Sequence, residues 1–288
     1  MTVAITISFV LDCVVFASFV IIRPIRTQMK NPVIFTNWKM NKTLSETRDY
    51  FRRFLKSAAK YRGRVEIFIL VPHTVLALAA DLTKGSGIKI GSQDHFWEDF
   101  GPYSGEISAA MVKDCGGEYA MVGHYERRHY FHETEEEIHR KVKAAFKHQL
   151  VPLVCIGESI EQRQSGQTAM AIEKQMDIIF KDFSTEEMAR CLILYEPDWA
   201  VGAEESASPE QAQEAHTIIR NKIASQLGEP VSGKARILYG GSVRWDNVAQ
   251  FLVQADVDGV GVGRAGWKPD SFLKILDSVF THITSARK

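Results

Sequence analysis

Cysteine is scarce and scattered. The four cysteines, Cys13, Cys115, Cys155 and Cys191, are spread over 288 residues, with no CxxC pair and no histidine at ligand spacing from any of them. Neither a disulfide framework nor a zinc site organises the chain, no metal is expected, and reduced thiols in a cytoplasmic protein are the plain expectation. Excess charge is lacking too: Lys and Arg number 35 and Asp and Glu also 35, so nothing in the overall balance draws the chain to nucleic acid. What is plentiful is apolar surface. At 45% hydrophobic residues the chain can bury one large α/β core or two smaller ones.

The first thirty residues stand apart. Val3 to Ile22 is a mostly apolar run followed by Arg23, Arg26 and Lys30, and its length suits a membrane helix with the remainder of the chain in the cytoplasm. Asp12 falls mid-run, where it would cost about 2.5 to 3.5 kcal/mol at a helix centre. No basic residue precedes the run, which speaks against a secretory signal. The preferred expectation is a natural start at Met29, with residues 1–30 an apolar leader outside the fold; a membrane anchor is the alternative. Residues 31–288 are then the folded domain.

From Pro32 onward, short apolar runs alternate with amphipathic segments. Strands are predicted at Val33 to Phe35, Ile67 to Val71, Ile88 to Ile90, Tyr119 to Val122, Val151 to Cys155, Leu192 to Tyr195, Arg236 to Tyr239 and Val260 to Val262. Helical patterns include Ser45 to Ala59, Thr134 to Lys147, Ile160 to Phe180, Pro209 to Ser225 and Asp246 to Gln254. Strands each followed by a helix imply a parallel sheet, and eight such units in about 250 residues suit a closed (β/α)8 barrel.

In a barrel of this kind the chemistry lies at the C-terminal strand ends. There the sequence sets Asn37-Trp38-Lys39-Met40-Asn41, Gly123-His124-Tyr125-Glu126-Arg127-Arg128, Glu196, Gly240-Gly241-Ser242 and Gly263-Arg264. Singly, each has a bland reading: a core histidine, a surface lysine, a tight turn. Their collection at one end of the barrel is what chance would not produce. Beyond Glu196, Pro197 and Gly202 hinge a segment of about ten residues, long enough for a lid, before Ser208 and Pro209 open the next helix. A carboxylate, an imidazole and an ammonium around one cavity suit proton abstraction beside a carbonyl with stabilisation of an enediolate, and the glycine turns offer N–H groups to a phosphate. Neither a metal nor another cofactor is required. The combination points to an aldose-ketose isomerase acting on a small phosphorylated sugar.

Over nearly its whole length after Met29 the chain resembles triosephosphate isomerase. The resemblance is carried by Asn37 to Asn41, Gly123 to Arg128, Cys155-Ile156-Gly157-Glu158, Tyr195-Glu196-Pro197-Asp198-Trp199-Ala200-Val201-Gly202 and Tyr239-Gly240-Gly241-Ser242-Val243, in family order and spacing. That family is the standard worked case of a glutamate base facing a neutral histidine. The resemblance implies Glu196 as base, His124 as neutral electrophile at a helix N-terminus, Lys39 and Asn37 on the substrate oxygen, and Glu126 orienting Lys39. It implies a phosphate grip from the N–H groups of Gly202, Ser242 and Gly263, with Arg264 in place of a second glycine. The lid would comprise Pro197, Asp198, Trp199, Ala200, Val201, Ala203, Glu204, Glu205 and Ser206, latched by Trp199 and Glu158, with Tyr239 bonded near Ala207. The loop Gly101-Pro102-Tyr103-Ser104-Gly105-Glu106 resembles the arm that completes a neighbour's site, so a homodimer is implied.

Several departures stand out. The lid tip Ala203-Glu204-Glu205-Ser206 replaces the common Thr-Gly-Lys-Thr, putting acids near a dianionic phosphate. Asp198, Tyr125, Asp94 and Arg264 also differ from the usual pattern. Relatives that isomerise four-carbon ketose phosphates such as erythrulose phosphate resemble the chain at Asn41-Lys42-Thr43 and at Gly263 to Trp267. The triose phosphate is the first expectation, the four-carbon substrate the alternative, and a silent sugar-phosphate-binding scaffold a third.

Overall fold

The computed structural model describes residues 31–202 and 206–285. The leader (1–30) and the lid-tip residues Ala203, Glu204 and Glu205 lie outside the described residues, and with them the expectations attached to those segments.

Eight strands, β1 (Val33–Asn37), β2 (Glu66–Val71), β3 (Lys89–Ser92), β4 (Tyr119–Val122), β5 (Val151–Ile156), β6 (Leu192–Tyr195), β7 (Arg236–Tyr239) and β8 (Gly259–Val262), run parallel in sequence order. The sheet closes where β8 pairs with β1. This is the (β/α)8 barrel that the alternation of apolar runs predicts. Each strand is buried on both faces, which is why the runs read as continuously apolar. Along β6, Leu192 and Leu194 join the packed barrel interior, while Ile193 and Tyr195 face the layer of helices.

Aromatic rings decide the composition of β8. Phe35 stacks on Phe68 at 4.8 Å and Phe68 on Tyr119 at 4.2 Å, filling the interior. A Cβ on Gly261 would come within 2.5 Å of the Phe35 ring, so the strand alternates glycine inward and valine outward.

The helices begin at side-chain caps. Thr43 with Glu46, Thr134 with Glu137, Ser184 with Glu187 and Ser208 with Gln211 each form a reciprocal capping box. The expected helix Ile160 to Phe180 is in fact two, Ile160–Gln164 and Thr168–Ile179. The chain turns at Gly166, whose φ of 71° a helix cannot accommodate. Asp246 to Gln254 shortens to Val248–Leu252. Asn247 is drawn into the preceding loop instead, accepting from the Arg244 amide and donating to the Ser242 carbonyl. A final helix, Pro269–Ser285, packs against Leu44–Ala58 through Phe272 on Phe54, beside the β8–β1 closure.

Candidate active site

The site forms at the C-terminal rim because the side chains that leave the strands there cannot all be apolar. Glu196 directly succeeds β6, its backbone N–H held by the Ile156 carbonyl of β5. The neighbouring β5 end comes so close that a Cβ on Gly157 would lie 2.1 Å from the Glu196 carbonyl oxygen, so only glycine fits. His124 lies just beyond β4 and caps the helix Tyr125–Phe131, where its Nδ1 accepts from the Glu126 amide at 3.1 Å. An acceptor Nδ1 carries no proton, so this pattern assigns the neutral ring with its hydrogen on Nε2. That Nε2 stands 2.9 Å from Glu196 Oε1, and both side chains are buried, with exposures of 6% and 5%. Glu196 Oε2 accepts from the Tyr125 amide at 2.9 Å. Burial pushes the Glu196 carboxyl up, but His124, the Tyr125 amide and the field of Lys39 outweigh it and hold the group below the ordinary carboxylate range.

Lys39 lies just beyond β1 with a left-handed backbone, φ 53°. Its amide donates to Asn37 Oδ1 at 2.8 Å, and its Nζ reaches Glu126 Oε1 at 2.6 Å. Asn37, the last residue of β1, is buried, and its carbonyl accepts from the Trp267 indole at 3.0 Å. All of these groups open onto a cavity of about 900 Å³ whose far side is lined by Gly202, Ser242, Gly263 and Arg264. Arg264 begins a single 3-10 turn; its side chain is exposed, with no ion pair among the described residues.

The lid segment leaves Glu196 through Pro197 and a 3-10 turn over Asp198, Trp199 and Ala200. Val201 and Gly202 line the cavity, and Ser206, on the far side of the lid tip, is half-buried. Glu158, fully buried, accepts from Tyr195 Oη at 2.9 Å and from the Trp199 indole at 3.4 Å. Ser242 Oγ donates to the Ala200 carbonyl, and the Ala207 amide donates to Tyr239 Oη at 2.9 Å. Burial first, then the negative charge of Glu196, pushes the half-buried Asp198 carboxyl up to about 7.

Two contributors have no role assigned from the sequence. Gln93 donates to Asn37 Oδ1 at 3.0 Å and to the Lys39 carbonyl at 2.9 Å. It is the first residue after β3, the same position that yields the other site residues. Placing that strand at Ile88 to Ile90 hides it, because Gly91 and Ser92 end the apolar run before the strand ends. Trp267 braces Asn37 from the loop after β8. Among the described residues no three or more His, Cys, Asp and Glu side chains are placed to hold a metal ion, and no helix is long and apolar enough to cross a membrane.

The family model described as Triosephosphate isomerase matches residues 32–279. The chain is similar to the triosephosphate isomerase of Dictyoglomus thermophilum, 42% identical over 250 residues covering 87% of this chain and all of the relative. It is 41% identical to that of Alkaliphilus oremlandii over 249 residues, 86% of this chain and again the whole relative. Among solved structures, the triosephosphate isomerase from Bartonella henselae superimposes with a TM-score of 0.78 at 34% identity, covering 87% of this chain and 99% of that one. A closed barrel with an acid, a neutral imidazole and an ammonium at one rim, together with likeness along the whole barrel, makes this chain an isomerase belonging to the triosephosphate isomerase family.

Proposed function

We propose that the chain interconverts dihydroxyacetone phosphate and D-glyceraldehyde 3-phosphate through an enediolate. The observation that carries the reading is the convergence of Glu196, His124 and Lys39 on one cavity. Substrate entering between Glu196 and His124 replaces their mutual contact. The carbonyl oxygen takes the Nε2–H that now goes to Glu196, and the carboxylate is freed to remove a proton from the adjacent carbon. Release from His124 leaves burial as the dominant influence on Glu196, so its proton affinity rises at the moment it acts as base. Lys39 and Asn37 hold the oxygen as charge develops, with Glu126 fixing the ammonium.

The N–H groups of Gly202, Ser242 and Gly263 grip the phosphate, with the Arg264 guanidinium added. Closure of the segment Pro197 to Ser206 excludes water and keeps the enediolate from expelling phosphate, the role for which the corresponding loop of this family is the standard example. The chain works in the cytoplasm, in glycolysis and gluconeogenesis, as a homodimer joined through Gly101 to Glu106. Support for the dimer comes from apolar side chains left uncovered near that loop, with Met40 97% and Phe100 88% exposed.

The test compares kcat/KM of the full chain for glyceraldehyde 3-phosphate and for erythrulose phosphate. A triose value near 10⁸ M⁻¹s⁻¹, roughly the diffusional ceiling for which triosephosphate isomerase is itself the usual illustration, supports the reading. A hundredfold preference for the four-carbon substrate, about 2.7 kcal/mol at the transition state, overturns it.

A further inference from the structure

We propose that Asp94 is a positioning residue for Lys39, acting through its neighbour Gln93. The inference rests on the isomerase reading and adds to it a pair of residues which that reading does not use.

Lys39 sits at φ 53°, a sparsely populated conformation for a non-glycine residue, which persists only where its surroundings over-determine it. Two bonds do so. Its N–H goes to Asn37 Oδ1, and its carbonyl accepts from Gln93 Nε2, which also reaches Asn37 Oδ1. Gln93 thus closes a small ring around the strained residue, and the place of Lys39 depends on the place of Gln93.

Gln93 is seated in turn by Asp94, the next residue along the chain. The Asp94 carboxylate stands 2.7 Å from Lys141 Nζ and 3.1 Å from Arg127 Nε. Lys141 also pairs with Glu133, in a wall where the Lys141 and Glu133 side chains are 5% and 3% exposed. Two cations and two anions make this cluster neutral. The Asp94 carbonyl accepts from His73 Nε2 at 2.9 Å, and His95 Nε2 meets the Lys141 carbonyl at 2.9 Å, so the backbone beyond Gln93 is fixed from two sides. An asparagine at 94 supplies one acceptor oxygen and no charge. It would leave an excess positive charge beside the buried Lys141, while the partly exposed Arg127, which already lies over the Phe131 ring at 4.6 Å, has a position to keep without it. The carboxylate at this departure from the usual family residue therefore has a physical use: it clamps both cations and, with them, the segment carrying Gln93.

The test is a double-mutant cycle on the full chain, measuring kcat and KM for glyceraldehyde 3-phosphate, inhibition by inorganic phosphate, and thermal midpoint. Gln93→Met is expected to lower kcat about tenfold or more, because a small misplacement of a catalytic group is costly, while phosphate inhibition stays within about twofold. Asp94→Asn is expected to lower kcat about fivefold in the parent and less than about twofold in the Gln93→Met background, since both changes act on one path. Where Asp94→Asn fails to fold, Arg127→Gln replaces it in the same cycle, with a smaller loss that again disappears in the Gln93→Met background. Equal losses in the two backgrounds, or a parent-like kcat, overturn the proposal while the isomerase reading stands. A parent chain that turns over neither glyceraldehyde 3-phosphate nor erythrulose phosphate overturns the isomerase reading itself.

Discussion

The two walls of the cavity are built in opposite ways. On the wall formed by β1, β3 and β4, which Glu196 joins from the end of β6 through His124, nearly every polar atom is tied to another: Asn37 to Lys39 and Gln93, Lys39 to Glu126, His124 to the Glu126 amide and to Glu196. The wall formed by the loops after β6, β7 and β8 presents glycines, a serine and an exposed arginine. Groups that meet developing charge are pre-oriented by side-chain bonds, which costs nothing at the moment of reaction. On the proposed reading, the second wall turns backbone N–H groups of its glycine-containing turns to the phosphate. Loss of a residue from the first wall should therefore appear in kcat, and loss from the second in KM.

The largest expected effect breaks the first wall at its acid. Glu196→Asp draws the carboxylate back by one methylene, away from both substrate carbons, and kcat should fall about a thousandfold, within the range spanned by general acid–base catalysis. Phosphate inhibition should stay nearly parental; an equal loss of phosphate binding would dissolve the distinction between the walls. Next comes Arg264→Gly on the second wall. It removes an exposed cation, so KM should rise about tenfold with kcat held, and the rise should shrink as salt screens the charge. A fall in kcat without a change in KM would place Arg264 among the reacting groups.

Much of the difference between the walls is legible in the sequence, and the remainder is hidden for definite physical causes. The strand ends at Asn37, His124 and Glu196 can be read because an apolar run stops abruptly at a charged or polar residue. Gln93 cannot, because β3 ends in Gly91-Ser92, where room for the interior residues Tyr119 and Leu70 overrides strand propensity. The split at Gly166 falls within Glu161 to Thr168, a run with no proline and no apolar residue to mark where one helix ends and the next begins. Trp267 and Asn37 are 230 residues apart, and no local pattern announces their bond. Direct contact between Glu196 and His124 is likewise a matter of tertiary placement: their strands are not neighbours in the barrel, since β5 lies between β4 and β6.

A smaller effect tests how the lid segment is held to the second wall. Tyr239→Phe leaves the buried Ala207 amide without its acceptor at the C-terminal end of that segment. An unmade hydrogen bond there costs about 1 kcal/mol or more. The expected outcome is a drop of about fivefold in kcat/KM, carried mainly by KM, with the pH profile unchanged. An altered pH profile would connect Tyr239 to the proton-transfer side.

The smallest expected effect concerns Asp198, part of the lid segment yet close enough to feel the charge of Glu196. Its carboxyl is raised from an ordinary value of 3.8 to about 7. A raised acid binds more protons folded than unfolded, so it takes stability away as pH climbs from about 4 through 7, and it is neutral in its effect below that window. Asp198→Asn removes the penalty. Because the group is only half-buried, solvent screening and relaxation reduce the gain to under about 1 kcal/mol at pH 8, falling to nothing at pH 4. Thermal midpoints of parent and variant at both pH values measure it. Glu196 is held below the ordinary carboxylate range, so Asp198, raised to about 7, is already neutral where the base titrates, and the acid limb of kcat against pH should stay in place. A midpoint gain that persists at pH 4 would assign Asp198 a packing role, and an acid limb that moves would mean that Asp198 is charged beside the base.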